Sequence, residues 1–215
     1  MKLQKLFFFN LFLVLSACGS QFDENVSGNW NLIVARNLDQ AGDFFHASEY
    51  LMKAMKENDA KESAESYLEN INKRKEKASD CVKDARFNLD TSFLTRYHFR
   101  DYFQMGYCYE LLGDERNALE SYNHSIQLNQ KHAMTYTYRG LLHEKSGRIQ
   151  EAEKDLRLAV QKEGGHLSPR FHLGMFFIRN RKIEFVEEQA AALEESRPIY
   201  TKILREEMLR KNENR

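Results

Sequence analysis

The sequence predicts an all-α fold built from repeated helical hairpins. Only 2 prolines and 10 glycines occur in 215 residues, and long stretches rich in Ala, Leu, Glu, Lys and Arg carry apolar residues at steps of three and four. No run alternates apolar and polar residues over the length of a strand, so we expect no sheet. Gly106, Gly140 and Gly174 stand 34 residues apart, a period typical of repeat architectures.

Other positions keep the same interval and fit the parts of a helical hairpin. Gly113 and Gly147 are expected just past the end of a first helix, where glycine adopts the left-handed conformation easily. Asp114 then fits the N-cap of a second helix. Gly106, Gly140 and Gly174 fall inside first helices, where glycine costs about 1 kcal/mol of helix stability relative to alanine. A close approach of the paired helix is the expected compensation.

Residues 99–198 resemble the tetratricopeptide repeat (TPR). The best matching positions are Tyr102, Met105, Gly106, Tyr109, Gly113, Ala118 and Tyr122. Pro198 stands where that family places its closing proline, whereas Arg170, Arg181 and Val186 depart from the family's aromatic, turn glycine and alanine. The resemblance implies a right-handed α-solenoid of helix-turn-helix repeats that binds other proteins.

The repeat spacing divides the body of the chain into six parts. Expected are a degenerate TPR-like hairpin at 28–61, an irregular helical hairpin at 62–98, TPRs at 99–132 and 133–166, a degenerate TPR at 167–197, and a C-terminal capping helix and tail at 198–215. In such an array each unit contacts its neighbours, so distant units are expected not to touch.

The first 27 residues are typical of an exported protein. Lys2 and Lys5 precede an apolar run at 6–15, which would rise only about 15 Å as a helix and is too short for a stable membrane span. Residues 1–17 are therefore predicted to be a cleaved signal peptide. The polar, non-periodic stretch at 18–27 is predicted to be a flexible tether.

The end of this segment, Leu15-Ser16-Ala17-Cys18, resembles the bacterial lipobox at all four positions. The resemblance implies that Cys18 is acylated and anchors the protein to a membrane of the bacterial cell envelope. Gly19 favours the outer membrane, facing the periplasm, over the inner membrane or the cell surface if the sorting rule of enteric bacteria applies. The alternative is a plain secretory signal with a chance cysteine.

Several function classes are disfavoured. The 32 basic and 32 acidic residues are interspersed, so no basic stripe for nucleic acid is expected. Walker, GxGxxG, HExxH, CxxC and nucleophile-elbow motifs are absent from the sequence, and no two histidines lie three or four apart. We therefore expect no enzyme activity, no cofactor and no metal site. His166 and His172 could converge near a turn, but surface or packing roles are the simpler interpretation.

The TPR resemblance also implies a concave protein-binding groove lined by first-helix side chains. Its lining would be Arg100, Phe103, Tyr107, Glu110, Met134, Thr137, Leu141, Glu144, Phe171, Met175 and Arg179. Aromatic and thioether groups with few charges suit an apolar-anchored peptide or helix. The alternative is that the terminal helix after Pro198 folds back over the groove and makes these residues core.

Cys81 and Cys108 form a candidate disulfide. The apolar spacing places them on the second helix of one unit and the first helix of the next, which pack together in such arrays. Export permits oxidation, and a bridge needs Cα atoms within about 7 Å. The alternative is two buried cysteines that never meet.

Together these features predict a membrane-anchored TPR lipoprotein that acts as an adaptor or scaffold for other proteins. The alternative is a structural or surface lipoprotein that self-associates through its solenoid into a homo-oligomer.

Replacing Cys18 with Ala removes the predicted acylation site. We expect the Cys18→Ala variant to move from the detergent phase to the soluble periplasmic fraction, while the wild type incorporates labelled palmitate. A variant that stays in the membrane, together with a wild type that takes up no label, would contradict the lipoprotein assignment.

Overall fold

A computed structural model describes residues 29–57, 59–91, 95–162 and 168–213. Within these ranges the chain forms eleven α-helices and two short 3-10 helices, and no strand. The all-α prediction is confirmed. The predicted signal peptide at 1–17, the predicted tether at 18–27 and Cys18 lie outside the described residues. Among the helices of the described ranges, none has the length and apolar character needed to cross a membrane.

The helices follow one another with short connections. Their bounds are α1 Trp30–Gln40, α2 Phe44–Ala54, α3 Lys61–Glu76, α4 Ala78–Thr91, α5 His98–Leu111, α6 Glu115–Leu128, α7 Ala133–Lys145, α8 Ile149–Gln161, α9 Ser168–Arg179, α10 Val186–Ala191 and α11 Pro198–Glu213. The 3-10 helices Thr95–Tyr97 and Ile183–Phe185 precede α5 and α10.

Helices α5–α6 and α7–α8 form the two regular hairpins, and close helix approaches occur where the sequence predicts them. A Cβ added at Gly106 would lie 2.6 Å from the Tyr122 ring on the paired helix. At Gly140 it would lie 3.2 Å from the carbonyl oxygen of Ala152. The third glycine of the series differs: Gly174 faces Leu204 of α11, so α9 approaches the terminal helix most closely there.

The predicted turn features are present. Gly113 and Gly147 have φ values of 76° and 75°, and the Asp114 side chain accepts a hydrogen bond from the Asn117 backbone N–H at 3.1 Å. In the degenerate repeat, Arg181 adopts the same left-handed conformation with φ 58°. A non-glycine residue costs about 1–2 kcal/mol there, so packing of the repeat holds this turn against local preference.

Residues 62–98 do not form the expected hairpin. Helices α3 and α4 are separated by Lys77 alone, whose φ of −84° and ψ of −4° are right-handed helical. One residue in that conformation bends the chain but does not reverse it. Helix α3 therefore packs on the N-terminal hairpin α1–α2, where Ala64 and Ile71 are fully buried, whereas α4 packs on α5.

The expectation that distant units do not touch is wrong, because the N-terminal hairpin α1–α2 meets the last described helix, α11. The Trp30 indole N–H donates to a Glu207 carboxylate oxygen at 2.6 Å, and the Tyr50 hydroxyl donates to the other oxygen. One apolar core joins the N-terminal hairpin to α9, α10 and α11. The physical reason is the apolar face of α1–α2, whose Val34, Leu38 and Leu51 are fully buried.

The contact between the chain ends is tested by removing its acceptor. Glu207→Ala leaves the Trp30 N–H and the Tyr50 hydroxyl without their partner, so we expect a loss of about 2 kcal/mol or more in the free energy of unfolding. Trp30 is the only tryptophan, so its fluorescence should also shift to longer wavelength. The neighbouring exposed Glu206→Ala should stay within about 0.5 kcal/mol of wild type. Equal effects of the two variants would contradict the closed arrangement.

Candidate interaction groove

The first helices α5, α7 and α9 line a groove. The turn of the N-terminal hairpin and the start of its second helix α2, residues 41–45, lie in this groove. One repeat position supplies a contact from each of three successive units: Leu111, Lys145 and Arg179. Phe44 packs in one cluster with Leu111. The Phe45 ring centroid lies 5.0 Å from the Lys145 Nζ, and an Asp43 carboxylate oxygen lies 4.0 Å from the Arg179 Nη1. Three consecutive hairpin residues thus span three repeats.

A second repeat position contacts the turn itself. A Cβ added at Gly42, where φ is 96°, would lie 1.8 Å from the hydroxyl oxygen of Tyr138. Thirty-four residues later, the His172 Nε2 lies 2.9 Å from the carbonyl oxygen of Ala41. A carbonyl only accepts hydrogen bonds, so Nε2 must carry the proton. The turn is therefore seated so closely that only glycine fits beside Tyr138.

A buried carboxylate orients the start of α2. Asp43 caps the helix by accepting from the His46 backbone N–H at 3.1 Å, and it accepts from the His46 Nδ1 at 2.8 Å. Burial alone would raise the pKa of Asp43, but the charge and hydrogen bond of His46, with the charges of Arg179 and His172, hold that pKa well below its usual range. Asp43 is therefore ionised inside the groove. Burial in turn lowers the pKa of His172, against the opposing charge of Asp43.

Arg179 connects this carboxylate to the groove wall. Its Nε and Nη2 donate to the two carboxylate oxygens of Glu144 at 2.9 and 2.7 Å. Its Nη1 is buried, has no hydrogen-bond partner within the described part of the chain, and points toward Asp43 at 4.0 Å. Paired guanidinium and carboxylate groups of this kind fix geometry more than they add stability.

Aromatic side chains form the wall of the groove near α5 and α7. The Tyr107 ring meets Phe44 edge-on, with centroids 5.9 Å apart, and it meets Tyr138 edge-on at 5.7 Å. Behind them the Tyr122 hydroxyl donates to Glu110 at 3.0 Å. Burial raises the pKa of Glu110 to about 7, although the Tyr122 hydrogen bond and the Lys145 charge lower it. This carboxyl therefore changes its protonation near neutral pH.

The eleven predicted groove residues do not form an open site. Of these, Tyr107 and Arg179 contact the hairpin directly, and Glu144 holds Arg179. Five are buried at a relative exposure of 6% or less and a further four are half-buried: Glu110, Thr137, Leu141, Phe171 and Met175, then Phe103, Tyr107, Met134 and Glu144. Arg179 is also half-buried, and Arg100 alone is exposed. The groove that these residues line is covered.

Two elements cover it. The N-terminal hairpin fills most of the groove, which the sequence did not indicate. The terminal helix α11 covers its end near α9, because the Tyr200 ring stacks on Phe171 with centroids 4.2 Å apart. The alternative prediction, that the terminal helix folds back and buries the groove residues, therefore holds for Phe171. Tyr107 and Arg179 contact the N-terminal hairpin instead.

Four residues that contact the hairpin were not predicted from the sequence: Leu111, Tyr138, Lys145 and His172. A signal for them was present in the 34-residue period. Tyr138 and His172 share one repeat position, and Leu111 and Lys145 share the position of Arg179, which was predicted. A prediction that took every residue at a given repeat position, in all units, would include these side chains.

The structure joins Cys81 and Cys108 by a disulfide, with Cα atoms 6.1 Å apart. Cys108 is fully buried, and the Gln104 side-chain amide donates to the Cys81 sulfur at 3.6 Å. The bond fastens α4 to α5, the first helix of the regular repeats.

Among the described residues, no three His, Cys, Asp or Glu side chains are grouped so that they could hold a metal ion. His166 lies outside the described residues, and its convergence with His172 stays a prediction.

A family profile identifies the repeat type, and a solved structure shows the fold. The profile of the tetratricopeptide repeat matches residues 102–132, so the chain contains this repeat. A crystal structure of a thermophilic TPR protein from Thermus thermophilus is similar over 84% of this chain and 96% of its own, with 19% identity and a TM-score of 0.52. The crystal structure of MamA is similar over 84% and 97%, with 14% identity and a TM-score of 0.44. No curated protein sequence matches. The fold is that of a TPR solenoid.

Seating of the turn against Tyr138 is tested by two matched glycine substitutions. Gly42→Ala and Gly147→Ala both place a side chain at positive φ, which costs about 1 kcal/mol. A Cβ at Gly147 meets no described atom within 4 Å, whereas at Gly42 it collides with the buried Tyr138. We expect Gly42→Ala to destabilise the protein by about 1–3 kcal/mol more than Gly147→Ala in denaturant unfolding. Equal losses would show that the turn does not sit against Tyr138.

Proposed function

We propose that this TPR-containing protein is a membrane-anchored scaffold of the bacterial cell envelope that binds a protein partner in the groove. The N-terminal hairpin is the resident ligand that the partner replaces. The observation that carries the proposal is the contact of Asp43, Phe44 and Phe45 with one repeat position in three successive units. A repeat array binds a peptide segment in this way, because each unit contributes one contact to it.

The resident hairpin indicates the chemistry of the partner. Its acidic cap faces Arg179, one aromatic ring lies under Lys145, and another lies edge-on to Tyr107. A partner helix that begins with an acidic cap and continues with two aromatic residues would reproduce all three contacts. This agrees with the expectation of an apolar-anchored helix, since aromatic side chains carry most of the affinity in such interfaces.

The proposed anchor at Cys18 limits where the partner can be. A tether over 18–27 reaches at most about 35 Å when fully extended. The groove then stays close to the lipid surface, which favours partners that are themselves envelope proteins. The favoured location of the protein is the periplasmic face of the outer membrane.

Site-specific photo-crosslinking in the source cell tests the groove. A photoreactive residue replaces either Lys145, at the edge of the groove beside Phe45, or Lys154, on the second helix α8. Both lysines are exposed, so they differ mainly in position. We expect partner adducts from position 145 and none above background from position 154.

Asp43→Asn sharpens this test. Asparagine still caps α2, so the helix start is kept, but the charge that faces Arg179 is lost. The buried ion pair between Asp43 and Arg179, whose atoms lie 4.0 Å apart, is lost, so the hairpin should be displaced more readily and the adducts from position 145 should increase. Adducts from position 154 alone, or equal adducts from both positions, would overturn the groove as the binding site.

A further inference from the structure

The bend between α3 and α4 points to a specific occupant of the groove. We infer that the groove also accepts the α1–α2 hairpin of a second copy of this chain, which is exchanged when the bend at Lys77 straightens. The inference rests on the proposed function and names one partner for the same site.

The bend has no cause in the local sequence. Residues 61–91 contain neither Gly nor Pro, and Lys75, Glu76, Lys77 and Ala78 are good helix formers. Sharp bends in helices arise at Pro, at Gly, at inserted residues or where another group enters the helix. Lys77 is exposed and already has right-handed helical φ and ψ values. Tertiary contacts therefore hold the bend, and the local preference is one continuous helix.

Most contacts on the two sides of Lys77 belong to different units, although Ala78 at the start of α4 also packs with Phe44 of α2. On the α3 side, the Tyr67 hydroxyl donates to Asp39 of α1 at 3.1 Å, and Arg74 forms an ion pair with the same carboxylate. On the α4 side, the Cys81–Cys108 disulfide fastens the helix to α5. Residues 29–76 thus form one unit, here called the N-terminal unit, and the bend is its junction with the repeats.

Straightening at Lys77 would make one helix over 61–91, about 46 Å long. The N-terminal unit would leave the groove and expose the apolar faces of both surfaces. A second copy offers the same two surfaces, so each unit can dock in the groove of the other chain through the contacts seen here. The exchanged dimer would contain each contact of the closed monomer twice, once for each chain. The free energies of one dimer and two monomers therefore differ mainly through the conformation at Lys77 and the entropy lost on association.

The proposed lipid anchor would lower that cost. Copies held on one membrane surface meet at a higher effective concentration than copies free in solution, which favours a reciprocal pair. Such a pair also leaves no unfilled groove, so the association closes at two chains.

A crosslink between chains tests the exchange in the membrane-anchored protein. One chain carries Phe45→Cys and another carries Lys145→Cys, positions whose side chains are in contact across the groove. The two chains are produced together and treated in the membrane with a short bismaleimide. We expect a covalent dimer of the two different chains, because each carries only one half of the pair. Failure to form this dimer, while the double variant on one chain crosslinks within itself, would overturn the inference.

The outcomes separate the inference from the proposed function. If no crosslink forms between chains but position 145 still captures another protein, the groove binds partners and the exchange is wrong. If neither occurs, both are wrong.

Discussion

Burial of the apolar face of the N-terminal hairpin is the constraint on which the rest of the structure depends. Val34, Leu38 and Leu51 are fully buried, and they share a core with Phe171 and Leu204 from the other end of the chain. Each such side chain contributes about 1.5–3 kcal/mol when it is removed from water. In this structure the groove of the same chain supplies the apolar surface that covers this face.

The charged groups of the groove have a different role. Asp43, Arg179 and Glu144 are buried or half-buried, and the desolvation of such groups offsets much of their attraction. Their contribution is to orientation: Asp43 caps α2 only when that helix starts at the groove wall, and Arg179 meets it only when Glu144 holds the guanidinium. Apolar burial thus holds the hairpin in place, and the polar contacts select one position for it.

The repeats were predictable from the sequence because their determinants are local and recur. Gly113 and Gly147 end a helix and Asp114 caps the next one, and each acts on residues within one turn of the chain. Such local determinants recur with the repeat, so the 34-residue period reveals them. Closure of the solenoid was not predictable by the same means. The apolar stripe of α1–α2 shows that a face must be covered, but periodicity does not say by which surface. The bend at Lys77 leaves no local signal, because its neighbours are helix formers and its cause lies in contacts on either side.

The position shared by Leu111, Lys145 and Arg179 shows how a repeat scaffold gives its groove a direction. The backbone of each unit presents this position to the same line along the groove, yet its side chain changes from apolar to cationic from one repeat to the next. The occupant matches that change, with Phe44 at the apolar end and Asp43 at the Arg179 end. A segment docked in the reverse orientation would place its carboxylate beside the apolar Leu111 and would leave the buried Nη1 of Arg179 without the carboxylate of Asp43. Orientation in this groove therefore follows from variation at one repeated position, and recurring repeat positions such as Gly106 serve to bring that position to the surface at regular intervals.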